Sequence, residues 1–220
     1  MHFDLLEIAT RLVVFFVPFL FSLCFHEFAH GWVAKMRGDR TAEMAGRLTL
    51  NPVAHMDFVG TILFPVVSIV LGSPYSFGWA KPVPVNSRNL KNPRTDMFWV
   101  ALAGPMSNVL LAFVGAFLLA VIRIYLQFSL KSPVLSLLEM FVYLNLMLAI
   151  FNLIPLNPLD GGKVIARFLP AEVNYKLEQN EHISGMILLL LIFSGFLQFL
   201  IYPVHFLFSL FNNLARGILG

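Results

Sequence analysis

Long apolar stretches dominate the sequence, and their lengths predict helices that cross a membrane. A helix needs about 20 consecutive apolar residues to cross the hydrocarbon core of a bilayer. Four stretches meet that requirement: 8–34, 97–126, 134–156 and 183–201. The stretch at 58–72 is shorter, and the one at 204–219 carries polar residues, so it either spans the membrane or lies along its interface. We therefore predict an all-α polytopic membrane protein with a bundle of about five to six transmembrane helices.

The segment between the first two long stretches is not predicted to be a regular helix throughout. Residues 73–86 read SPYSFGWAKPVPVN, and proline in a helix interior removes a hydrogen bond and clashes with the preceding turn. We expect an extended segment or a short β-hairpin there. The apolar segment 58–72 before it is expected to be re-entrant, which means that it enters the membrane and returns to the same side. Irregular backbone at that depth survives where protein covers it or where it lines a wet cavity.

Composition supports the membrane assignment, and the placement of charge predicts an orientation. Hydrophobic residues make up 58% of the chain and charged residues 12%, whereas about a quarter of the residues in soluble domains are charged. If 58–72 returns without crossing, eleven of the 15 Lys and Arg residues fall on one face. Cytoplasmic loops are enriched in these residues, so we expect a multi-pass inner-membrane protein whose basic face is cytoplasmic. The net charge of +3 does not indicate a nucleic-acid partner.

The first apolar stretch contains the motif HEFAH, which runs from His26 to His30. Two histidines four residues apart lie about 40° apart around a helix, so both imidazoles can bind one metal ion. Glu27 between them can hold a water molecule at that metal and take its proton, as in zinc hydrolases. Core histidines without a role are the alternative. Ionisable groups inside a spanning helix are costly and rare, so three of them in five residues favour a metal site.

Catalytic zinc usually has three protein ligands and a water molecule, so a third ligand is expected on another helix. Asp160 is the best candidate, because it follows the proline-rich end of a predicted helix and because Gly161 and Gly162 free the backbone after it. A helix cap or turn residue is the alternative role. The helix before Asp160 and the helix with HEFAH end on the same face, so the groups can meet. Four other histidines are weaker candidates because each lies in a loop or near a helix end: His2, His55, His182 and His205.

Three motifs occur in order along residues 20–165: HEFAH, AGPMSN at 103–108 and FNLIPLNPLDGG at 151–162. In combination they resemble the site-2 protease family of intramembrane metalloproteases, in particular compact bacterial and archaeal members without PDZ or CBS domains. We interpret AGPMSN as a packing motif, in which Ala103 and Gly104 let helices approach closely and Asn108 bonds across the interface. Residues 77–86 resemble a loop that pairs with the substrate as an added strand.

The resemblance implies one zinc ion per chain, with His26, His30 and Asp160 as ligands and Glu27 as the general base. It also implies that Asn152 stabilises the developing oxyanion. Without the resemblance, a hydrogen bond to a neighbouring helix would explain an Asn in a spanning helix equally well. The implied reaction is hydrolysis of peptide bonds in or near transmembrane segments of other membrane proteins, which is regulated intramembrane proteolysis. The active site would face the cytoplasmic side.

We expect one membrane-embedded domain over residues 1–220, with a core at 8–165 and C-terminal helices at 183–219. Two other functional classes are weighed against a zinc metalloendopeptidase. A metal transporter also buries His and Asp, but it would carry polar residues along a path across the membrane, and here they cluster near one face. A catalytically silent adaptor would be expected to have lost a ligand or the base, and none of these residues is missing.

Overall fold

The computed structural model describes residues 5–72, 78–126 and 132–219, and within them the chain is helical and contains no β-strand. Its α-helices in chain order are α1 (Leu5–Met36), α2 (Thr41–Met44), α3 (Phe64–Val70), α4 (Pro93–Val121), α5 (Pro133–Asn152), α6 (Asp160–Ala166), α7 (Ala171–Gln179), α8 (Glu181–Phe193) and α9 (Ile201–Leu219). Shorter turns of 3-10 or π type join them: Pro52–His55, Phe58–Leu63, Ser87–Asn89, Ile122–Leu126 and Phe196–Leu200.

Three helices are long and apolar enough to cross a membrane, namely α1, α5, and α4 together with the π-helical turn that extends it to Leu126. At most a third of the apolar core of each helix is buried inside the protein. Val17, Leu110 and Leu118 are each about half exposed. Apolar side chains on that scale are stable against lipid and costly in water. The prediction of a multi-pass, all-helical membrane protein is confirmed.

The C-terminal apolar region differs from the prediction, which placed one spanning helix at 183–201 and a spanning or interfacial helix at 204–219. Helix α8 ends at Phe193, and residues 181–192 and 196–219 meet at an angle of 77°. The break lies at Gly195, whose φ of 78° is in the left-handed region that ends helices and favours glycine. The described residues therefore contain three spanning helices, or four if the bent pair makes one span. The predicted count of five to six is not confirmed.

Helix α4 lies at the centre of the bundle, against α1, α5, α6 and α9. Ala112 and Ala116 on α4 are fully buried and pack against Val142 and Leu146 of α5. Small residues let membrane helices approach closely enough for backbone-to-side-chain contact. Gly115 shows how close this approach is, since a Cβ atom added there would lie 2.8 Å from the Phe141 ring.

The segment Phe58–Val70 is apolar and helical but shorter than the three long helices. It is about 20 Å long, which is short of the ~30 Å hydrocarbon core. The residues before and after it are bonded to each other, because the Lys81 N–H donates to the His55 carbonyl oxygen at 2.9 Å and the Arg47 guanidinium donates to the Lys81 carbonyl oxygen at 2.7 Å. Residues 78–86 form neither a helix nor a strand, so the predicted β-hairpin is not shown there. The rest of the predicted hairpin, 73–77, lies outside the described residues.

A buried carboxylate fastens the end of α1 to the chain that follows this segment. Asp39 is fully buried and accepts hydrogen bonds from the Asn86 N–H at 2.7 Å, the Asn89 side-chain amide at 3.0 Å, and both the backbone N–H and the hydroxyl of Thr41. Burial raises the pKa of the Asp39 carboxyl, but these hydrogen bonds outweigh it and hold the pKa below its usual range. Asp39 thereby fixes where residues 78–86 lie relative to α1.

Asp39→Ala is expected to lower the free energy of unfolding by about 3 kcal/mol, because it leaves several buried donors without an acceptor. The Asp39 contribution should be present above the ordinary carboxyl pKa of about 4 and should be lost as the pH falls through the lowered folded-state pKa. Denaturant titration in detergent micelles measures both effects. Glu43→Ala is the control, because Glu43 makes only partly exposed ion pairs to Lys35 and Arg40, and its loss should cost much less stability. Equal losses in the two variants would contradict this role of Asp39.

Candidate metal centre

Three side chains from two separate helices converge inside the bundle. The Nε2 atoms of His26 and His30, both on α1, are 3.0 Å apart. Oδ2 of Asp160, the first residue of α6, lies 3.1 Å from the His26 nitrogen and 3.2 Å from the His30 nitrogen. Each of the three residues is at most 9% exposed. The structure thus brings together the two histidines of HEFAH and the aspartate expected from another helix.

The hydrogen-bond partners of the two imidazoles show which nitrogen of each ring carries the proton. Nδ1 of His30 lies 2.7 Å from the carbonyl oxygen of Val100 on α4, and a carbonyl only accepts, so this Nδ1 donates. Nδ1 of His26 lies 2.5 Å from the side-chain oxygen of Asn108 and donates to it. In the neutral form of each ring, Nε2 therefore points a lone pair at the other Nε2 and at a carboxylate oxygen. Three convergent acceptors repel one another unless a cation lies between them, which is the arrangement of a metal site.

The orientation of Asn108 is fixed by a chain of buried amides. Asn145 on α5 donates to the Phe141 carbonyl oxygen at 2.8 Å and to the Ser22 hydroxyl at 2.7 Å, so its side-chain oxygen faces Asn108. The Asn108 amide nitrogen donates to that oxygen at 2.8 Å, which leaves the Asn108 oxygen for His26. Asn108, Asn145 and Ser22 are fully buried. Helices α1, α4 and α5 together thus set the tautomer of one ring.

Asn108→Leu is expected to weaken divalent-metal binding by about 10- to 100-fold, because the His26 ring loses the acceptor that orients it. Competition with a chromophoric chelator measures the affinity of the purified protein in detergent. Asn212→Leu is the matched control, since Asn212 is also a buried Asn in an apolar helix but bonds to the Phe208 carbonyl oxygen, away from the cluster. Similar metal affinity in both variants would show that the amide chain does not support the site.

The position of Asp160 depends on a tight contact between the loop 153–159 and the first turn of α6. A Cβ atom on Gly161 would lie 2.2 Å from the Ile154 carbonyl oxygen, and one on Gly162 would lie 2.2 Å from the Asn157 side-chain oxygen. Neither glycine has a positive φ. The sequence interpretation that these glycines free the backbone was therefore wrong in its reason: they are needed because the loop leaves no room for a side chain.

The motif AGPMSN does more than pack helices, although we expected only packing from it. A Cβ atom on Gly104 would lie 2.4 Å from Nε2 of His30 and 2.6 Å from Nε2 of His26. Asn108 bonds across the helix interface as predicted, but its partner there is the His26 ring. The backbone of α4 therefore forms one wall of the cluster.

Glu27 and Asn152 line the same cavity as the three clustered residues, a space of about 1390 Å³ that extends to the apolar side chains of α8. Glu27 is 9% exposed, and its Oε2 accepts a hydrogen bond from the backbone N–H of Val83 at 2.7 Å. Asn152 is the last residue of α5, and its amide donates to the Leu148 carbonyl oxygen at 2.9 Å. Both residues are thus near the cluster without belonging to it.

No other histidine joins the cluster within the described part of the chain. His55 is buried, and its Nε2 lies 2.8 Å from the Thr49 carbonyl oxygen. His205 on α9 contacts the Tyr143 ring, and His182 is exposed. His2 lies outside the described residues.

The fold and the site define a class of protein: a multi-pass membrane protein whose helix bundle holds three clustered side chains that could bind a metal ion. The chain belongs to Peptidase family M50, whose sequence pattern matches residues 14–130 and 120–195. This is the site-2 protease family, so the resemblance of the three motifs is confirmed. The protein is an intramembrane metalloprotease of the site-2 type.

Several bacterial proteins are similar to this chain over most of their length. YwhC of Bacillus subtilis is 40% identical over 191 residues, which make up 86% of this chain and 84% of YwhC. Rip2 of Mycobacterium tuberculosis is 30% identical over 186 residues, which cover 84% of this chain and 69% of Rip2. Rip2 of Mycolicibacterium smegmatis is 26% identical over 91% of this chain and 74% of its own length. All three are named as zinc metalloproteases. No solved structure matches the chain significantly.

Proposed function

We propose that this protein binds one zinc ion between His26, His30 and Asp160 and uses it to hydrolyse peptide bonds in transmembrane segments of other proteins. The observation that carries the proposal is the convergence of the three ligand atoms at 3.0–3.2 Å. Ligand atoms of a tetrahedral zinc at about 2.0–2.1 Å lie about 3.3 Å from one another, close to these separations. Two imidazoles and a carboxylate are also a common donor set for catalytic zinc.

Different residues around the cluster would carry out different steps of amide hydrolysis. When bound, zinc supplies Lewis-acid chemistry, which lowers the pKa of water toward about 7 and polarises a carbonyl group. Glu27 takes the proton of the attacking water molecule and passes it to the leaving amine nitrogen. Asn152 donates a hydrogen bond to the substrate carbonyl oxygen as negative charge develops there. Its amide nitrogen has two hydrogens, and the Leu148 carbonyl oxygen uses one of them.

The cavity suits a polypeptide substrate. Its volume of about 1390 Å³ exceeds the ~300–1,000 Å³ of small-molecule sites. Apolar side chains line most of it, including Leu188 and Ile192 of α8, so a membrane-embedded segment could enter without exposing its side chains to water. A helical segment hides its carbonyl groups in hydrogen bonds, and the substrate must therefore unwind at the cut. We expect helix-breaking residues near the scissile bond.

The proposed location is the inner membrane, with the active site on the cytoplasmic side and lipid around the bundle. In this arrangement 58–72 is re-entrant, and the basic loops before α4 and before α7 face the cytoplasm. The bond between Lys81 and His55 supports the re-entrant arrangement of 58–72. The contact of the Arg94 guanidinium with the Leu169 carbonyl oxygen supports a common side for the two loops. The whole chain, 1–220, would form one metalloprotease domain.

Reconstitution of the purified protein in liposomes with a panel of single-span substrates tests this proposal. We expect about one zinc per chain and cleavage at peptide bonds inside or beside the transmembrane segment, located by mass spectrometry. A chelator should abolish cleavage, and added zinc should restore it. Glu27→Gln protein purified in the same way controls for a contaminating protease. The proposal is wrong if the protein binds no zinc, or if cleavage persists after the metal has been removed.

A further inference from the structure

Residues 78–86 bring one backbone N–H to the proposed catalytic base. The Val83 N–H donates to Oε2 of Glu27 at 2.7 Å, and the bond is buried. Because Pro82 and Pro84 have no N–H, Val83 is the single backbone donor within the sequence Pro-Val-Pro. A register shift of one residue in either direction would place a proline opposite Glu27 and remove the bond.

Hydrogen bonds on both sides of Val83 hold the segment in this register. The N–H groups before Val83 that lie two and four residues away also donate to the protein. The Trp79 N–H donates to the Gly60 carbonyl oxygen at 3.2 Å, and the Lys81 N–H donates to the His55 carbonyl oxygen at 2.9 Å. After Val83, the Asn86 N–H donates to the Asp39 carboxylate at 2.7 Å.

The surface of α1 is shaped for the same contact. Gly31 lies one helical turn after Glu27, on the same face. A Cβ atom on Gly31 would lie 3.2 Å from Cγ1 of Val83, which is closer than ordinary van der Waals contact. The missing side chain at Gly31 lets Val83 approach α1 closely enough for its N–H to reach Glu27.

We propose that the backbone N–H of Val83 is a positioning group for Glu27, and this inference rests on the proposed function. With Oε2 held, the carboxylate cannot rotate freely, and Oε1 keeps a fixed direction toward the proton that it must take. A misdirected base is costly, since a displacement of about 1 Å in a reacting group can lower a rate about 100-fold.

Replacement of the Val83 amide by an ester in cell-free synthesis into nanodiscs removes the N–H and keeps the side chain. We expect kcat to fall about 10- to 100-fold, as for loss of one hydrogen bond to a charged group, with KM and zinc affinity unchanged. An ester at Asn86 is the matched control, because it removes a backbone bond of equal length to another carboxylate, that of Asp39. It should lower stability with a much smaller effect on kcat. Equal kcat losses at the two positions, or wild-type kcat for the Val83 ester, would overturn the inference.

A pair of encoded variants checks the result if the ester proteins do not fold. Val83→Pro removes the N–H and Val83→Ala retains it, so kcat should fall much further in the proline variant at similar zinc content. Similar kcat values for the two would overturn the inference. The failure of the proposed function has a different signature: the wild-type protein would then bind no zinc, or would cleave as fast after the metal had been removed, whatever residue 83 is.

Discussion

Glu27→Gln is expected to slow peptide-bond cleavage about 100- to 10,000-fold while the zinc remains bound, as for the loss of a general base. Glutamine has the same length, and its side-chain oxygen can still accept the hydrogen bond from Val83. It cannot take a proton from water at neutral pH. Because the side chain of Glu27 is not among the three that converge, its replacement leaves the ligand set complete.

Two measurements on the Glu27→Gln protein distinguish whether Glu27 acts as the general base or as a zinc ligand. Single-turnover cleavage in liposomes gives the chemical rate, and metal analysis gives zinc per chain. Glu43→Gln is the control for removal of a negative charge, since Glu43 lies in α2 and pairs with Lys35 on the protein surface. Loss of zinc together with activity would show that Glu27 is a ligand, and an unchanged rate would show that another group takes the proton.

The sequence predicted the long core helices because hydropathy and length are local properties. The stretches 8–34 and 97–126 correspond to α1 and to α4 with its extension. The sequence did not predict the break between α8 and the residues that follow. Gly195 lies inside an otherwise apolar run, and average hydropathy does not register the left-handed backbone that turns the chain there.

The meeting of His26, His30 and Asp160 was predictable for a similar reason. Spacing of four residues on a helix brings two histidines together, and the position of Asp160 past a helix end placed it at the same membrane depth. The roles of Glu27 and Asn152 stay predictions, because proximity to a cavity does not show chemistry.

The supporting residues were harder to find because they depend on how three helices rotate against one another. Asn145 carried a signal, since a polar side chain in an apolar helix has a partner more often than not. Its link through Asn108 to His26 needed the packing of α4 between α1 and α5. The Val100 carbonyl oxygen and the Val83 N–H carry no side-chain signature at all. Backbone groups of this kind become visible only in a structure.

Gly104→Ala is expected to weaken zinc binding about 100-fold or more and to reduce cleavage in proportion, although it adds only one methyl group. The new Cβ atom would lie 2.4 Å from Nε2 of His30 and 2.6 Å from Nε2 of His26. Helix α4 cannot move away to make room, because it is packed against α5 on its other side. The imidazoles must move instead, and their hydrogen bonds to Val100 and Asn108 would be strained.

Gly115→Ala separates this effect from general crowding in the same helix. A Cβ atom there would lie 2.8 Å from the Phe141 ring and 2.9 Å from Val142, so this variant should lose stability and keep its zinc affinity. Chelator competition and unfolding titrations on both proteins give the comparison. Loss of zinc in Gly104→Ala alone would place the metal against the backbone of α4, whereas wild-type zinc affinity in that variant would mean that His26 and His30 are not its ligands.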